Sequence, residues 1–420
     1  IGQRIQGRSA KGVAAQVVGN GQARQGRDAA VGKADHIRDR PARFVILPHR
    51  RFCGGQDLPQ LPGDNVGIDG AAGIGVLLSK QGNDVFVTTR KDRMNNAGIT
   101  YLRGNAHDPL FIEEILREGW DAIVDFMVYH TDEFARRVDL LLRYTNQYVY
   151  LSSARIFANE DAYITERSPR LLDITSDTDY LKTDEYALTK ALQENLLRAS
   201  GYKNWTIVRP YITFSDIRLQ LGVYEKEQWL YRALQGRAIV FSKDIASHYT
   251  TLTYGEDVAQ GIAGLIGNAM ALGEDFNIVT AESLTWQEVL DLYVRTIEEC
   301  AGKRPPVVYT DTCLNLLFKR TQYQVKYCRL FDRKFDNRKI LSAVPDLRFS
   351  DVRISLQRCL CALINSRRFK TIGWRNEALL DRVSVEFTPI REVESFKLYM
   401  VYLLFRELPL ECVKYVINHR

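Results

Sequence analysis

Between residues 84 and 151 the chain alternates short runs rich in β-branched and aromatic residues with longer stretches of helical period, and no other feature constrains its architecture as tightly. Asp84 to Thr88, Ala122 to Phe126 and Gln147 to Leu151 read as strands. Residues 109 to 118 and 131 to 143 carry apolar positions at helical spacing. Strands separated by helices of that length imply right-handed crossovers in a parallel sheet, so the predicted architecture is a doubly wound α/β fold.

The strand Trp205 to Val208 ends in Arg209 and Pro210; proline cannot donate to a sheet ladder, so the chain must leave the sheet there. A smaller lobe is expected beyond it, with a helical run around 224 to 236, a strand from Ala238 to Phe241 and an amphipathic helix from Trp286 to Cys300. Residues 346 to 420 show no chemical motif and are expected to form helices packed on that lobe. No repeat of solenoid length is evident.

The net charge of +6 sits at one end. Residues 1–64 hold 11 Lys and Arg against 5 Asp and Glu, and the remainder balances at 46 of each. That segment is rich in Gly, Arg, Gln and Ala and shows no sustained period apart from the short run Phe44 to Leu47, so it is expected to be a poorly ordered basic segment. Its first residue, Ile1, fits a fragment or a processed chain. Seven cysteines lie scattered and odd in number, which favours reduced, mostly buried thiols over a disulfide framework or a zinc site. The apolar stretch Leu398 to Phe405 is far too short to cross a bilayer, and no secretory signal opens the chain, so the expected compartment is cytoplasmic with no membrane partner.

Chemistry concentrates at Tyr186 and Lys190, four residues apart on a predicted helix from Asp184 to Ser200 and hence on one face. A nearby ammonium stabilises a phenolate, which lets the tyrosine act as a general acid or base. Upstream, Ser152 and Ser153 leave the end of a predicted strand, where ligands of open α/β sheets bind.

Together these segments resemble the extended short-chain dehydrogenases, which include nucleotide-sugar epimerases and dehydratases. Tyr148 to Phe157 is similar to the family's strand and paired serines, Tyr186 and Lys190 to its Tyr-x-x-x-Lys, and Val208 to Pro210 to its strand ending near the nicotinamide. Tyr254 to Val258, Phe276 to Ile278 and Leu284 to Glu288 resemble later segments of the same fold. The resemblance implies a Rossmann-like, doubly wound sheet: an NAD(P)-binding domain over 65–210, a substrate-binding lobe over 211–345 interleaved with it, and a helical extension over 346–420. It also selects Ser153 over Ser152 as the catalytic serine beside Tyr186 and Lys190.

Where the family has a strand followed by Gly-x-x-Gly-x-x-Gly and a helix, this chain offers a weak strand-like Asn65 to Asp69 and then Gly70, Gly73 and Gly75 with the last gap shortened. These glycines are the candidate phosphate-binding turn, in a first strand and helix that read as altered or replaced upstream of about residue 76. After the next strand, Arg90 stands where an acid would pair with a ribose hydroxyl, which tilts the choice between NAD and NADP towards NADP. Asn105 and Ala106 resemble the adenine-contacting loop, and Pro210 the nicotinamide edge. His107 and His130 read as loop residues rather than metal ligands.

The resemblance implies hydride exchange with the nicotinamide on a nucleotide-linked sugar, as an epimerase or a reductase. Dehydration is disfavoured because Ala154 and Arg155, not an acidic pair, follow Ser153. The alternatives are an NADPH-dependent reductase of a small carbonyl compound, and a catalytically inactive binding protein that engages RNA through the basic segment, although a nucleic-acid partner is the weaker reading. A homodimer through helices beside Tyr186 is the family's usual assembly.

Overall fold

The structure, a computed structural model, describes residues 41–47, 68–95, 98–313, 322–409 and 412. The first half of the chain runs β1 (Arg43–Leu47), α1 (Ile68–Lys80), β2 (Asp84–Thr89), β3 (Ile99–Arg103), α2 (Pro109–Leu116), β4 (Trp120–Asp125), α3 (Thr131–Arg143), β5 (Thr145–Leu151), two short turns α4 (Leu171–Ile174) and α5 (Thr178–Leu181), α6 (Tyr186–Ala199) and β6 (Trp205–Arg209). The second half continues β7 (Ile212–Phe214), β8 (Gln220–Leu221), β9 (Tyr224–Glu225), α7 (Lys226–Leu234), β10 (Ile239–Ser242), α8 (Lys243–Ala246), β11 (Tyr249–Thr250), β12 (Leu252–Tyr254) and α9 (Gly255–Leu265). It ends with β13 (Glu274–Asn277), β14 (Leu284–Thr285), α10 (Trp286–Ala301), β15 (Val307–Thr310), α11 (Gln322–Gln324), α12 (Arg338–Ala343), α13 (Val352–Ser366), α14 (Trp374–Ser384) and α15 (Phe396–Glu407).

Seven of these strands form one parallel sheet in the order β13-β6-β5-β4-β1-β2-β3, so the α/β doubly wound fold is present as expected. Its first strand corrects the sequence reading. Residues 43–47, within the segment expected to be poorly ordered, sit at the centre of the sheet, with Val45 paired to Phe86 on one side and Ile123 on the other. A strand covered on both faces is apolar without alternation, which is the pattern of Phe44 to Leu47. Phe44 and Ile46 enter the core under α1 and α9; Val45 and Leu47 enter the core under α2, α3 and α6.

The expected strand Asn65 to Asp69 is also corrected, since Ile68 and Asp69 open α1; residues 65–67 lie outside the described residues. Gly70, Gly73 and Gly75 fall within that helix rather than in a turn before it. At Gly75 a β-carbon would meet Ile46 Cδ1 at 3.5 Å, and at Gly73 it would meet Ala259 Cβ at 3.7 Å, so both serve close packing of α1 on the sheet and on α9.

Helix α10 packs on α13 and on α7, where Tyr293 of α10 stacks on Trp229 of α7 with ring centroids 4.6 Å apart. Cys300 of α10 and Cys361 of α13 form a disulfide, which overturns the reading of all seven cysteines as thiols. Cys313, Cys328 and Cys359 are buried thiols, Cys412 is an exposed one, and Cys53 lies outside the described residues. Helices α13, α14 and α15 fall within residues 346–420, where helices were expected. A buried charge cluster ties α14 and the segment after it to α7: Arg232 donates to Glu377 and Asp381 at 2.6 Å each, and Arg237 donates to Glu392 at 2.9 Å.

Candidate functional site

The carboxyl edge of the parallel sheet gathers the chemistry. β5 ends at Leu151, and the two serines that follow have different fates. Ser152 donates to the buried Glu194 carboxylate at 2.6 Å. Ser153 caps the short turn of residues 154–156, its Oγ accepting the Arg155 amide at 3.3 Å, which leaves its own proton for an outside acceptor.

Tyr186 opens α6, and the first turn of that helix is buried. Glu185 is the N-cap; its carboxylate accepts the Ala187 amide at 2.7 Å and so satisfies one of the donors a helix start leaves unpaired. One turn on, Lys190 donates from Nζ to the Leu151 carbonyl at 2.6 Å. The same nitrogen lies 4.6 Å from the Tyr150 ring centroid and 5.9 Å from that of Tyr186. Burial pushes the ammonium down to about 8, against the pull of the Asp125 and Glu194 carboxylates. Serine turn, tyrosine and lysine are thus brought to one place.

Several residues of this site were missed by sequence reasoning. Asp125, wholly buried at the end of β4, accepts the Tyr148 hydroxyl at 2.7 Å, the Tyr129 hydroxyl at 2.9 Å and the Met127 amide at 2.8 Å. Burial raises its carboxyl above the usual range, and those three hydrogen bonds oppose the rise. A carboxylate inside the apolar run Ala122 to Phe126 was the available signal. Burial would likewise raise Glu194, but the Arg209 guanidinium, donating at 2.8 Å from two nitrogens, outweighs it and holds the carboxyl at about 2. Gln193 accepts the Tyr150 hydroxyl and donates to the Tyr129 carbonyl at 2.8 Å, which fixes the ring beneath Lys190.

Other sequence-predicted residues fall along the same edge. The Gly104 amide donates to the Thr89 carbonyl at 2.8 Å, drawing together the loops that carry Arg90 and Asn105; both side chains are exposed. Gly104 is required there, because a β-carbon would lie 2.2 Å from the Phe111 ring. Ala106 is buried, and its carbonyl accepts Arg137 Nη1 at 3.0 Å. Pro210 is buried after β6, its carbonyl accepting the Ala154 amide at 3.0 Å. Gly70 lies in the first turn of α1, the helix that follows β1, while Gly73 and Gly75 lie further along it and pack on Ala259 and Ile46. The β1 to α1 connection, where this topology puts a phosphate-binding turn, spans residues outside those described. His107 pairs with Glu133 at 2.8 Å and His130 stands at the N-cap position of α3 without a side-chain capping bond; among the described residues no cluster of metal ligands occurs.

The donor chemistry around Lys190 could hold a cofactor. Lys190 spends one of its three N–H donors on Leu151, leaving two for ribose hydroxyls. The order of strands reverses between β1 and β4, which opens the crevice where dinucleotides bind in such sheets.

No family model matches the sequence. A curated relative, the chloroplast stem-loop binding protein of 41 kDa b of Arabidopsis thaliana, is 24% identical over 189 residues, which are 45% of this chain and 46% of the relative. The chain therefore spans about half the length of the curated relative it matches. Solved structures extend further. An epimerase of Methanothermobacter thermautotrophicus superposes with a TM-score of 0.56 at 15% identity, over 78% of this chain and 94% of that one. The dTDP-glucose 4,6-dehydratase of Bacillus anthracis, in complex with NAD, gives 0.56 at 13% over 78% and 97%. The UDP-glucose 4-epimerase of Bifidobacterium longum, in complex with NAD+ and UDP, gives 0.52 at 15% over 77% and 99%. Likeness at these identities establishes the fold: the Rossmann-like architecture of epimerases and dehydratases. No helix among the described residues is long and apolar enough to cross a membrane.

Proposed function

We propose that this chain is a nicotinamide-dependent epimerase or reductase acting on a nucleotide-linked sugar. The observation that carries the reading is the Lys190 ammonium, anchored on the Leu151 carbonyl beside the Tyr186 ring and two residues before Ser153. The fold adds support, since the solved neighbours include enzymes with NAD and a uridine nucleotide bound.

In this mechanism Tyr186 takes the proton from a substrate hydroxyl as it becomes a carbonyl, and returns one on reduction. Ser153 donates a hydrogen bond to the same oxygen and orients it. Lys190 stabilises the phenolate and holds ribose hydroxyls. The nicotinamide, when bound, supplies the hydride acceptor and donor. Arg90, exposed at the end of β2, Asn105 and Ala106 would border the adenosine end, and Arg90 favours NADP over NAD. Residues 211–345 would select the sugar. Epimerisation returns hydride to the opposite face of the carbonyl, whereas reduction releases oxidised cofactor.

Calorimetric titration of the full chain with NAD and NADP, oxidised and reduced, tests the reading. Micromolar binding, about 8 kcal/mol, is expected, followed by turnover of a sugar nucleotide that Tyr186→Phe abolishes. Absence of binding to all four forms rules the enzyme out. The Arabidopsis relative, a chloroplast stem-loop binding protein, and the basic residues 1–64 favour a second reading, a stem-loop-binding protein without turnover. Its mark would be an affinity for stem-loop RNA that falls steeply with salt and disappears when residues 1–40 are removed, a deletion that spares β1.

A further inference from the structure

Arg155 follows Ser153 and Ala154, and only 2% of it is exposed. A charge buried this deeply persists only when it is paired. The guanidinium donates to the Glu185 carboxylate at 2.5 Å, and its Cζ lies 5.4 Å from the Tyr186 ring centroid. Glu185 also accepts the Ala187 amide at 2.7 Å and the Tyr180 hydroxyl at 3.0 Å. Three donors from three segments therefore share its negative charge and fix the guanidinium beside the phenol. Lys190, at 5.9 Å from the same ring, is the second cation. The Tyr150 hydroxyl, tied to Gln193, also lies near Tyr186, and the Asp125 and Glu194 carboxylates act on Lys190.

We propose that Arg155 is a positioning residue that stabilises the Tyr186 phenolate, so that one phenol is served by two cations. The inference rests on Tyr186 being the acid–base group. It has a physical motive in burial, which pushes Lys190 down to about 8, so that its charge fades as the medium becomes basic. A guanidinium does not deprotonate in a protein, so Arg155 keeps a positive charge beside the ring throughout that range. Nothing in the sequence spacing pointed to it, because Arg155 and Tyr186 lie 31 residues apart and meet only through the turn after β5 and the start of α6.

The test is a spectrophotometric titration of tyrosinate in the full chain, with the curve of Tyr186→Phe subtracted to isolate one phenol. Arg155→Met is expected to raise the Tyr186 midpoint by about one pH unit, a tenfold loss of phenolate at fixed pH. Glu185→Gln, which keeps the arginine and removes its counter-charge, is expected to lower it; Arg155→Lys should retain most of the effect. A purely structural role would move Arg155→Met and Glu185→Gln the same way. If Arg155→Met does not fold, the direction of the Glu185→Gln shift decides. An unmoved midpoint in Arg155→Met, or an upward shift in Glu185→Gln, overturns the proposal. Should the midpoint stay unmoved but below that of free tyrosine, about 10, the acid–base reading of Tyr186 stands without Arg155. A midpoint of about 10 in every variant removes both.

Discussion

The Ser152 hydroxyl donates to Glu194 at 2.6 Å, while the neighbouring Ser153 hydroxyl caps a turn and keeps its proton. Adjacent serines are thereby divided between holding the fold and meeting a ligand. Ser152→Ala should cost stability, about 1.5–3 kcal/mol for a hydrogen bond to a charged group, with kcat little changed. Ser153→Ala should leave the melting temperature near its original value and cut kcat by about 10²–10³, as removal of a positioned donor does. Denaturant melts beside single-turnover rates check both, and the opposite pattern would exchange the roles.

Lys190 titrates at about 8 in the fold, below the 10.5 of an ordinary lysine, chiefly because it is buried. Between those values the unfolded chain binds more protons than the folded one, so this residue's contribution makes stability rise with pH across that window. Relative to Lys190→Met, the wild-type chain should gain on the order of 3 kcal/mol from pH 8 to 10.5. Activity should move the other way, falling as the ammonium is lost above about 8. A flat difference between the two proteins across this range would show that Lys190 keeps its proton.

Because Gly73 and Gly75 lie inside α1, alanine at either position should be tolerated. The added carbon would make ordinary van der Waals contacts, at 3.7 Å and 3.5 Å, and alanine is about 0.5–1 kcal/mol better than glycine in a helix. Thermal melts of Gly73→Ala and Gly75→Ala should therefore show a small gain, with NAD or NADP binding unchanged. Loss of binding in either variant would return these glycines to the phosphate site.

Truncation separates the basic segment from the sheet. Removal of residues 1–40 leaves β1 whole, whereas removal of residues 1–64 deletes the strand between β2 and β4. The shorter deletion should melt cooperatively near the full chain, and the longer one should lose its cooperative transition in calorimetry. Equal stability of the two would mean that β1 is dispensable.

What could be read in the sequence was local. The run into Ser152 and Ser153 and the pair Tyr186 and Lys190 sit on single elements, with the apolar period that defines them. The run Phe44 to Leu47 stood out but could not be assigned as β1, because it is set between Pro41 and Pro48 in a polar, arginine-rich segment, where a run without alternation carries no period. Longer-range pairings had no local trace. Cys300 and Cys361 are 61 residues apart and meet only once α10 lies on α13. Arg155 and Asp125 looked like ordinary polar positions until burial gave each a partner, since a buried charge is conspicuous only in three dimensions.

The strand order has a consequence for how the molecule is made. As synthesis proceeds, β1 emerges first; β2 and then β3 add on one flank, β4, β5, β6 and β13 in turn on the other. Each newcomer docks at a free edge, so the growing sheet never has to part to admit a later strand. Arg43–Leu47 therefore holds the centre of a sheet whose later strands can all be added at its edges, and it is the segment that the composition of its surroundings did most to conceal.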